Sequence, residues 1–416
     1  MLIPSIDIMD GRAVQLRRGK DPILTSIISP VILAKEFNRY GPVAVVDLDA
    51  VFCRGSNFDL VAKICHEAEV YVGGGVRDVE YGKKLLRAGA KKLVIGTMAT
   101  PEFLRNFNPD QIIVALDHID GTVMDRGWTN STGVSLTARA KEIEEFCSGY
   151  LVTFIKSEGC LSGISEESVL TLQKGLGRPI TIAGGISTSY EAAKLMRLGV
   201  SVQIGMALYT GALDLAETIV KTVDFEKMGG LVPTIVQEET TKQVLVLAYS
   251  SPESLTLALR EGRGIYFSRS RKEVWRKGEM SGNTEELVSC RFDCDQDALL
   301  FVVRQKGPAC HTGERSCFGS AEFSLSVMFS TLAKRMSEMP EGSYSTELFQ
   351  NSELLIDKIF EESSEVVNFT DRDNLRWEIA DLLFHLSVLA TKNGLDWKDI
   401  ESELRSRHLV LGKGRN

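Results

Sequence analysis

The chain has 416 residues, 44% of them hydrophobic and 25% charged, with a formal net charge of −8. At roughly 150 residues per domain this length predicts two to three domains, and the acidic balance argues against nucleic-acid binding. Eight cysteines are too few for a disulfide scaffold, and the start Met1-Leu2-Ile3-Pro4 has neither the basic segment nor the apolar run of a signal peptide, so a cytoplasmic, non-membrane protein is expected.

Residues 1–225 alternate β-rich runs with amphipathic ones. Runs at 2–6, 43–46, 70–72, 92–95, 111–116, 150–154, 180–182 and 200–204 read as eight strands, with helical stretches such as 30–40 and 189–198 between them. That pattern predicts a (β/α)8 TIM barrel. An internal repeat supports it: IDIMDG at 6–11 answers LDHIDG at 116–121, and VGGGVR at 72–77 answers IAGGIS at 182–187, both 110 residues apart. Two such halves place Asp7 after strand 1 and Asp117 after strand 5, where opposed carboxylates can act as general base and acid. The turns at Gly74, Gly75 and Arg77 and at Gly184 and Gly185, with Gly96, Thr97 and Gly205 after strands 4 and 8, let backbone amides approach an anion. One anion site per half predicts a substrate with a phosphate at each end.

The words IPSIDIMDGRAVQLRRG, VVDLDAVFCRGSN, VGGGVRD, IGTMAT, ALDHIDGTVMDRGW, IAGGIS and IGMALYTG resemble the phosphoribosylformimino isomerase of histidine biosynthesis. The resemblance implies an Amadori isomerase with Asp7 as the base that removes the C2 proton, Asp117 as the acid that opens the ribose, and Thr153 assisting. The chain departs from the family at Phe154, at Ser157-Glu158-Gly159 and at Met206. Those departures leave open a barrel that serves only as a scaffold.

Residues 228–319 form a second module. Cys294, Cys310 and Cys317 lie close in sequence to His311 and to Asp293, Asp295 and Asp297. Thiolates suit zinc and clustered carboxylates suit magnesium. On a strand the three aspartates share one face and Cys294 points to the other. Cys290 stays open as a fourth thiol. Upstream, Arg269, Ser270, Arg271, Trp275, Lys277, Ser281 and Gly282 combine basic, hydroxyl, indole and glycine groups that suit a phosphorylated purine.

The words YSSPESL, YFSRSRKEVWRKGEMSGN, DCDQDALL and ACHTGERSCF resemble phosphoribosyl-AMP cyclohydrolase. The resemblance implies a small α+β homodimer with sites across its interface. Zinc would be held by Cys294 of one subunit with Cys310 and Cys317 of the other, and Mg²⁺ by the three aspartates. A zinc-activated water would attack purine C6, with His311 transferring a proton.

Residues 320–416 read as all-α. Glu361, Glu362 and Glu365 on one helix and Glu378 and Asp381 on the next have the three- and four-residue spacing of one face, and two such faces can cage Mg²⁺. PEGSYSTELF, KIFEESSEVV, EIADLLFHLSVL and RSRH resemble phosphoribosyl-ATP pyrophosphohydrolase of the MazG-like class. The resemblance implies Mg²⁺-assisted release of pyrophosphate, and Lys358 is a candidate phosphate contact. Phe360 stands where that family commonly has glycine.

The three implied reactions are consecutive steps on phosphoribosyl nucleotides. The expectation is a trifunctional enzyme, homodimeric through its two smaller modules. A bifunctional enzyme with a scaffold barrel is the alternative, and a zinc-stabilised binding protein without catalysis is the reading from another class.

Overall fold

The computed structural model describes residues 1–17, 21–125, 127–319 and 323–407. Arg18 and Gly19 of the first quoted word, Arg126 of the RGW word and His408 of the closing RSRH lie outside them.

Eight parallel strands form the barrel: β1 (Leu2–Met9), β2 (Val43–Asp47), β3 (Val70–Gly73), β4 (Lys92–Ile95), β5 (Ile112–Ile119), β6 (Gly149–Phe154), β7 (Ile180–Ala183) and β8 (Ser201–Ile204). They pair in chain order, and β8 pairs with β1 to close the ring. The strands are apolar almost throughout because helices cover the outside while side chains fill the inside. Period-two alternation sets the mouth. On β1, Ile3 joins an inner cluster with Ala44, Tyr71, Ile113, Leu151 and Ala183, whereas Leu2, Ile6 and Ile8 face the helix layer. Asp7 shares the face of Ile3, two levels higher past Ser5, and Asp117 stands likewise above Ile113 past Ala115.

The repeat seen in sequence is also a repeat of backbone conformation. Asp10 and Asp120 both have φ 49°, and Gly74 and Gly184 have φ 90° and 89°. A Cβ on Gly74 would lie 2.6 Å from the Asp47 carbonyl oxygen, and one on Gly184 would lie 2.8 Å from that of Phe154. Both turns therefore require glycine. Each half also carries an antiparallel hairpin at its first mouth loop, Arg12–Arg17 with Asp21–Thr25 and Thr122–Asp125 with Asn130–Ser135.

The first compact unit takes Met1–Gln237 and Val244–Phe318, so the barrel and the middle module are packed together. The middle module contains β9 (Val232–Glu238), β10 (Val244–Ser250), β11 (Ile265–Ser268), β12 (Glu273–Arg276), β13 (Glu285–Phe292) and β14 (Leu299–Gln305). Four of these form a sheet in the order β10-β9-β14-β13, and β11 pairs with β12. Helix Pro252–Glu261 starts at a Ser251–Ser254 capping box and ends at Gly262 with φ 66°. The module docks on the barrel through main chain and charge: Cys290 N donates to Arg39 O at 2.9 Å, Arg39 to Leu259 O at 2.9 Å, and Arg291 pairs with Glu69 at 2.7 Å.

One expectation fails here. Asp293, Asp295 and Asp297 are not on a strand, because β13 stops at Phe292 and β14 begins at Leu299. Asp293 Oδ1 accepts from the backbone N–H of Asp297 and Ala298 at 3.1 and 3.2 Å, which folds the segment into a turn. The aspartates converge by curling inward, not by alternating along one face.

The second unit takes Glu238–Gln243 and Gly319–Arg405. Its helices are α1 (Leu325–Glu338), α2 (Tyr344–Gln350), α3 (Ser352–Val367), α4 (Arg372–Lys392) and α5 (Trp397–Arg407). Leu332, Leu348, Phe349, Leu355 and Val388 form its core. The short α2 follows the Pro340–Gly342 break and has no counterpart in the sequence reading.

Candidate active sites

The barrel mouth is a cavity of about 770 Å³. Asp7, Asp117, Thr153, Gly74, Gly75, Arg77, Gly96, Thr97, Gly184, Gly185 and Gly205 all line it. Burial raises the Asp7 pKa to about 6, against a 3.2 Å hydrogen bond from Ser5. Burial also raises that of Asp117, opposed by hydrogen bonds from Thr153 and from the Trp128 indole, the latter at 2.8 Å. Arg77 donates to Ala50 O and Val51 O at 2.6 and 2.7 Å, so it braces the loop after β2 as well as facing the cavity.

Two mouth residues were not singled out as site residues from the sequence. Trp128 sits in the quoted RGW word, but its bond to Asp117 needs the hairpin to fold back. Glu158 is a further carboxyl lining the cavity, with its pKa raised to about 7 by burial, by Asp7 and by Asp117. Its place in the departing Ser157-Glu158-Gly159 triplet was the available signal.

In the middle module, Cys310 and Cys317 lie beside one another. Thr312 Oγ1 donates to Cys310 Sγ at 3.1 Å and holds its pKa below the usual thiol value. Burial and the Cys310 thiol push Cys317 up. A stabilised thiolate next to a second thiol fits two ligands of a zinc site. His311 Nδ1 is 3.8 Å from Cys310 Sγ. Cys294 is exposed, 3.9 Å from Asp295, and within one chain it does not join the other two thiols in a group of ligand atoms within 4.8 Å. Cys290 is a core thiol, 2% exposed with its pKa raised to about 12 by burial, so it is no fourth ligand.

Carboxylate oxygens of Asp293, Asp295 and Asp297 lie within 4.8 Å of one another, and the Lys227 ammonium pairs with both Asp295 and Asp297. A cluster that already takes one cation fits a divalent ion. Elsewhere in the module, Arg269 lies over the Tyr249 ring at 3.8 Å, Arg271 pairs with Glu273 at 3.3 Å, and Trp275 packs on Tyr266. Lys277 donates to Ala309 O, just before the cysteine loop. Ser270 neighbours Ser268 at 3.4 Å, Ser281 accepts from Asn283 N at 3.3 Å, and Gly282 turns at φ 73°.

In the helical unit, oxygens of Glu362, Glu378 and Asp381 lie within 4.8 Å of one another. Burial and Asp381 raise the Glu362 pKa, and Glu378 raises that of Glu365 beside it. Such mutual repulsion is what a divalent cation relieves. Glu361 is tied to Lys358 at 2.7 Å. His385 is a further neighbour that the sequence reading passed over: Nδ1 is 3.9 Å from Glu362, Nε2 is 3.0 Å from the Tyr344 hydroxyl, and burial holds its pKa down.

Comparison with known proteins gives these sites a context. Residues 1–214, just over half of the chain, match the family model described as Histidine biosynthesis protein. The chain belongs to that family. Residues 246–319 match Phosphoribosyl-AMP cyclohydrolase and residues 325–408 match Phosphoribosyl-ATP pyrophosphohydrolase. Over 192 residues the chain is 42% identical to the histidine biosynthesis bifunctional protein HisIE of Bacillus subtilis, covering 43% of this chain and 92% of that one. Over 193 residues it is 45% identical to the protein of the same name from Thermotoga maritima, covering 42% and 98%. A histidine biosynthesis trifunctional protein of Kluyveromyces lactis is 43% identical over 188 residues, covering 45% of this chain and 24% of that one. A histidine-biosynthesis barrel, a cyclohydrolase domain and a pyrophosphohydrolase domain thus follow one another in this family member. Among the described residues no helix is long and apolar enough to cross a membrane.

Proposed function

We propose that this chain catalyses three consecutive steps of histidine biosynthesis in the cytoplasm. The helical module releases pyrophosphate from phosphoribosyl-ATP, the middle module opens the purine ring of phosphoribosyl-AMP, and the barrel isomerises the product. The observation that carries the third activity is that Asp7 and Asp117, equivalent in the two halves of the repeat, line one cavity with the glycine turns of both halves.

In the barrel, Asp7 takes the C2 proton in its ionised form, and Asp117 delivers a proton to the ribose ring oxygen. Burial raises the pKa of both, and that of Asp7, at about 6, suits proton exchange near neutral pH. Thr153 and Trp128 orient Asp117. In the middle module, Cys310 and Cys317 with Cys294 of a second copy would hold zinc, and the three aspartates Mg²⁺. Bound zinc supplies a water of lowered pKa for attack at purine C6. His311 moves a proton at the opening ring, while Arg269, Ser270, Arg271, Lys277, Ser281 and Gly282 hold the phosphoribosyl group and Trp275 flanks the base. In the helical module, Glu361, Glu362, Glu365, Glu378 and Asp381 would hold Mg²⁺ beside the phosphoanhydride, with Lys358 contacting phosphate.

A homodimer through the two smaller modules is part of this proposal. Large apolar side chains stand exposed on each, Met280 and Phe318 on one and Phe360, Val367 and Trp377 on the other, as surfaces that pair do. The scaffold reading of the barrel is favoured by Phe154 and Met206 at positions where the isomerases carry polar or basic groups. Separate assays of the three reactions with the whole chain decide between them. Formation of the isomerised product, lost in Asp7→Asn with ring opening intact, supports three activities. Ring-opened product that accumulates unchanged in the wild type leaves two.

A further inference from the structure

We propose that the barrel side governs the acidic metal loop of the cyclohydrolase module, with Gln296 as its positioning residue and Lys227 as a competing counter-ion. This rests on reading Asp293, Asp295 and Asp297 as a divalent-cation site.

The loop is a turn between β13 and β14, and Gln296 at its tip has φ 65°, a conformation disfavoured for a residue of this type. Two bonds to the other module hold it there. Gln296 Nε2 donates at 3.1 Å to Met196 O, in the last turn of the barrel helix Ser189–Arg197. Gln296 O accepts at 2.8 Å from Asp224 N, where the chain leaves the barrel. Asp224 in turn accepts from Lys227 N at 3.1 Å, which fixes the start of the Lys227 side chain. The Lys227 ammonium then reaches Asp295 and Asp297.

Each contact has a physical consequence. The Gln296 bonds set the curl that brings three carboxylates within 4.8 Å of one another. Their mutual repulsion opens such a turn unless a cation stands among them. Lys227 supplies that cation from the barrel side and keeps the oxygens converged before metal arrives. A divalent ion brings twice the charge to the same oxygens, so it displaces the ammonium. The pair is largely exposed, and exposed pairs are weak, so displacement is easy and the placeholder is reversible. The two residues therefore act with opposite sign: Gln296 favours metal by shaping the loop, and Lys227 opposes it by competing.

The test measures Mn²⁺ binding by electron paramagnetic resonance on the full chain. A Glu362→Gln/Glu378→Gln background keeps the helical module from contributing. Lys227→Met, which keeps the stem and removes the charge, is expected to tighten Mn²⁺ binding about fivefold. Gln296→Asn tolerates the positive φ but is too short to reach Met196, and Gln296→Gly removes the contact while relaxing the backbone. Both are expected to weaken binding at least about threefold. If Asp295→Asn loses the ion while Lys227→Met and both Gln296 variants bind within twofold of the parent, the positioning role of Gln296 and the competing role of Lys227 are overturned and the metal site stands. If Asp295→Asn binds as the parent does, the metal reading fails and the inference fails with it.

Discussion

Trp128 Nε1 donates to Asp117 Oδ2 at 2.8 Å, and Thr153 bonds the same carboxyl. Asp117 is thereby oriented from two sides, whereas among the described residues Asp7 takes its side-chain hydrogen bond from the Ser5 hydroxyl at 3.2 Å. Trp128→Phe removes one oriented bond while keeping the ring. Isomerisation should fall by about 10–100-fold, the worth of a bond to a charged group. Ring opening by the same preparation should not change, which a parallel assay of the two products checks.

The pH dependence of isomerisation follows from Asp7. Its pKa is raised to about 6 by burial, and a base works only when ionised. On the acid side kcat/KM should therefore fall about tenfold per unit below pH 6 as Asp7 is protonated. A profile whose acid limb sits near pH 4, the value of a free aspartate, would remove Asp7 from that role.

Glu158 links the same mouth to stability. Its folded pKa of about 7 lies above that of a free glutamate. A carboxyl raised on folding costs nothing when protonated in both states below about pH 4; its cost builds as pH rises from the free value of 4.5 to about 7 and stays at its full size above that. Glu158→Gln should raise the melting temperature at pH 8 and leave it unchanged at pH 4. The gain should be on the order of 1–3 kcal/mol. Thermal melts of the whole chain at the two pH values read it directly.

Metal removal should separate the modules. A strong chelator of transition metals is expected to abolish ring opening while isomerisation persists, because Asp7 and Asp117 need no metal. Added Zn²⁺ should restore it. Cys317→Ser should lower ring opening by at least about a hundredfold and should not be rescued by Zn²⁺.

Glu378→Gln tests the helical module in the same way. It removes one of three converging carboxylates and should lower pyrophosphate release by about two orders of magnitude. Assayed from phosphoribosyl-AMP, ring opening should stay at the wild-type rate.

The barrel was legible in sequence because its signals are local and repeated: apolar runs at strand length, glycine turns, and one offset shared by two motifs. The opposed Asp7 and Asp117 followed from that symmetry. What escaped depends on contacts between distant segments. Trp128 meets Asp117 only after a hairpin folds back, and His385 meets Glu362 across two helices. Lys227 and Gln296 join modules whose docking no single-module pattern encodes. The aspartates of the metal loop were read with the right spacing and the wrong backbone. Alternating Asp-Cys-Asp fits a strand as well as a turn, and the Asp293 hydrogen bonds decide for the turn.

The twofold repeat of the barrel sets a problem of direction. A mouth made of two matching halves has no head or tail, and a substrate with similar ends could enter either way round. The strand registers show where the symmetry breaks: Asp117 lies beside Thr153, whereas Asp7 lies beside Val46. Across the neighbouring strand one half thus offers its aspartate a hydroxyl and the other a valine, while the Ser5 hydroxyl of its own strand serves Asp7. A duplicated frame becomes a one-way street by changing the neighbours of one aspartate, Thr153 across the strand pair and Trp128 from the hairpin.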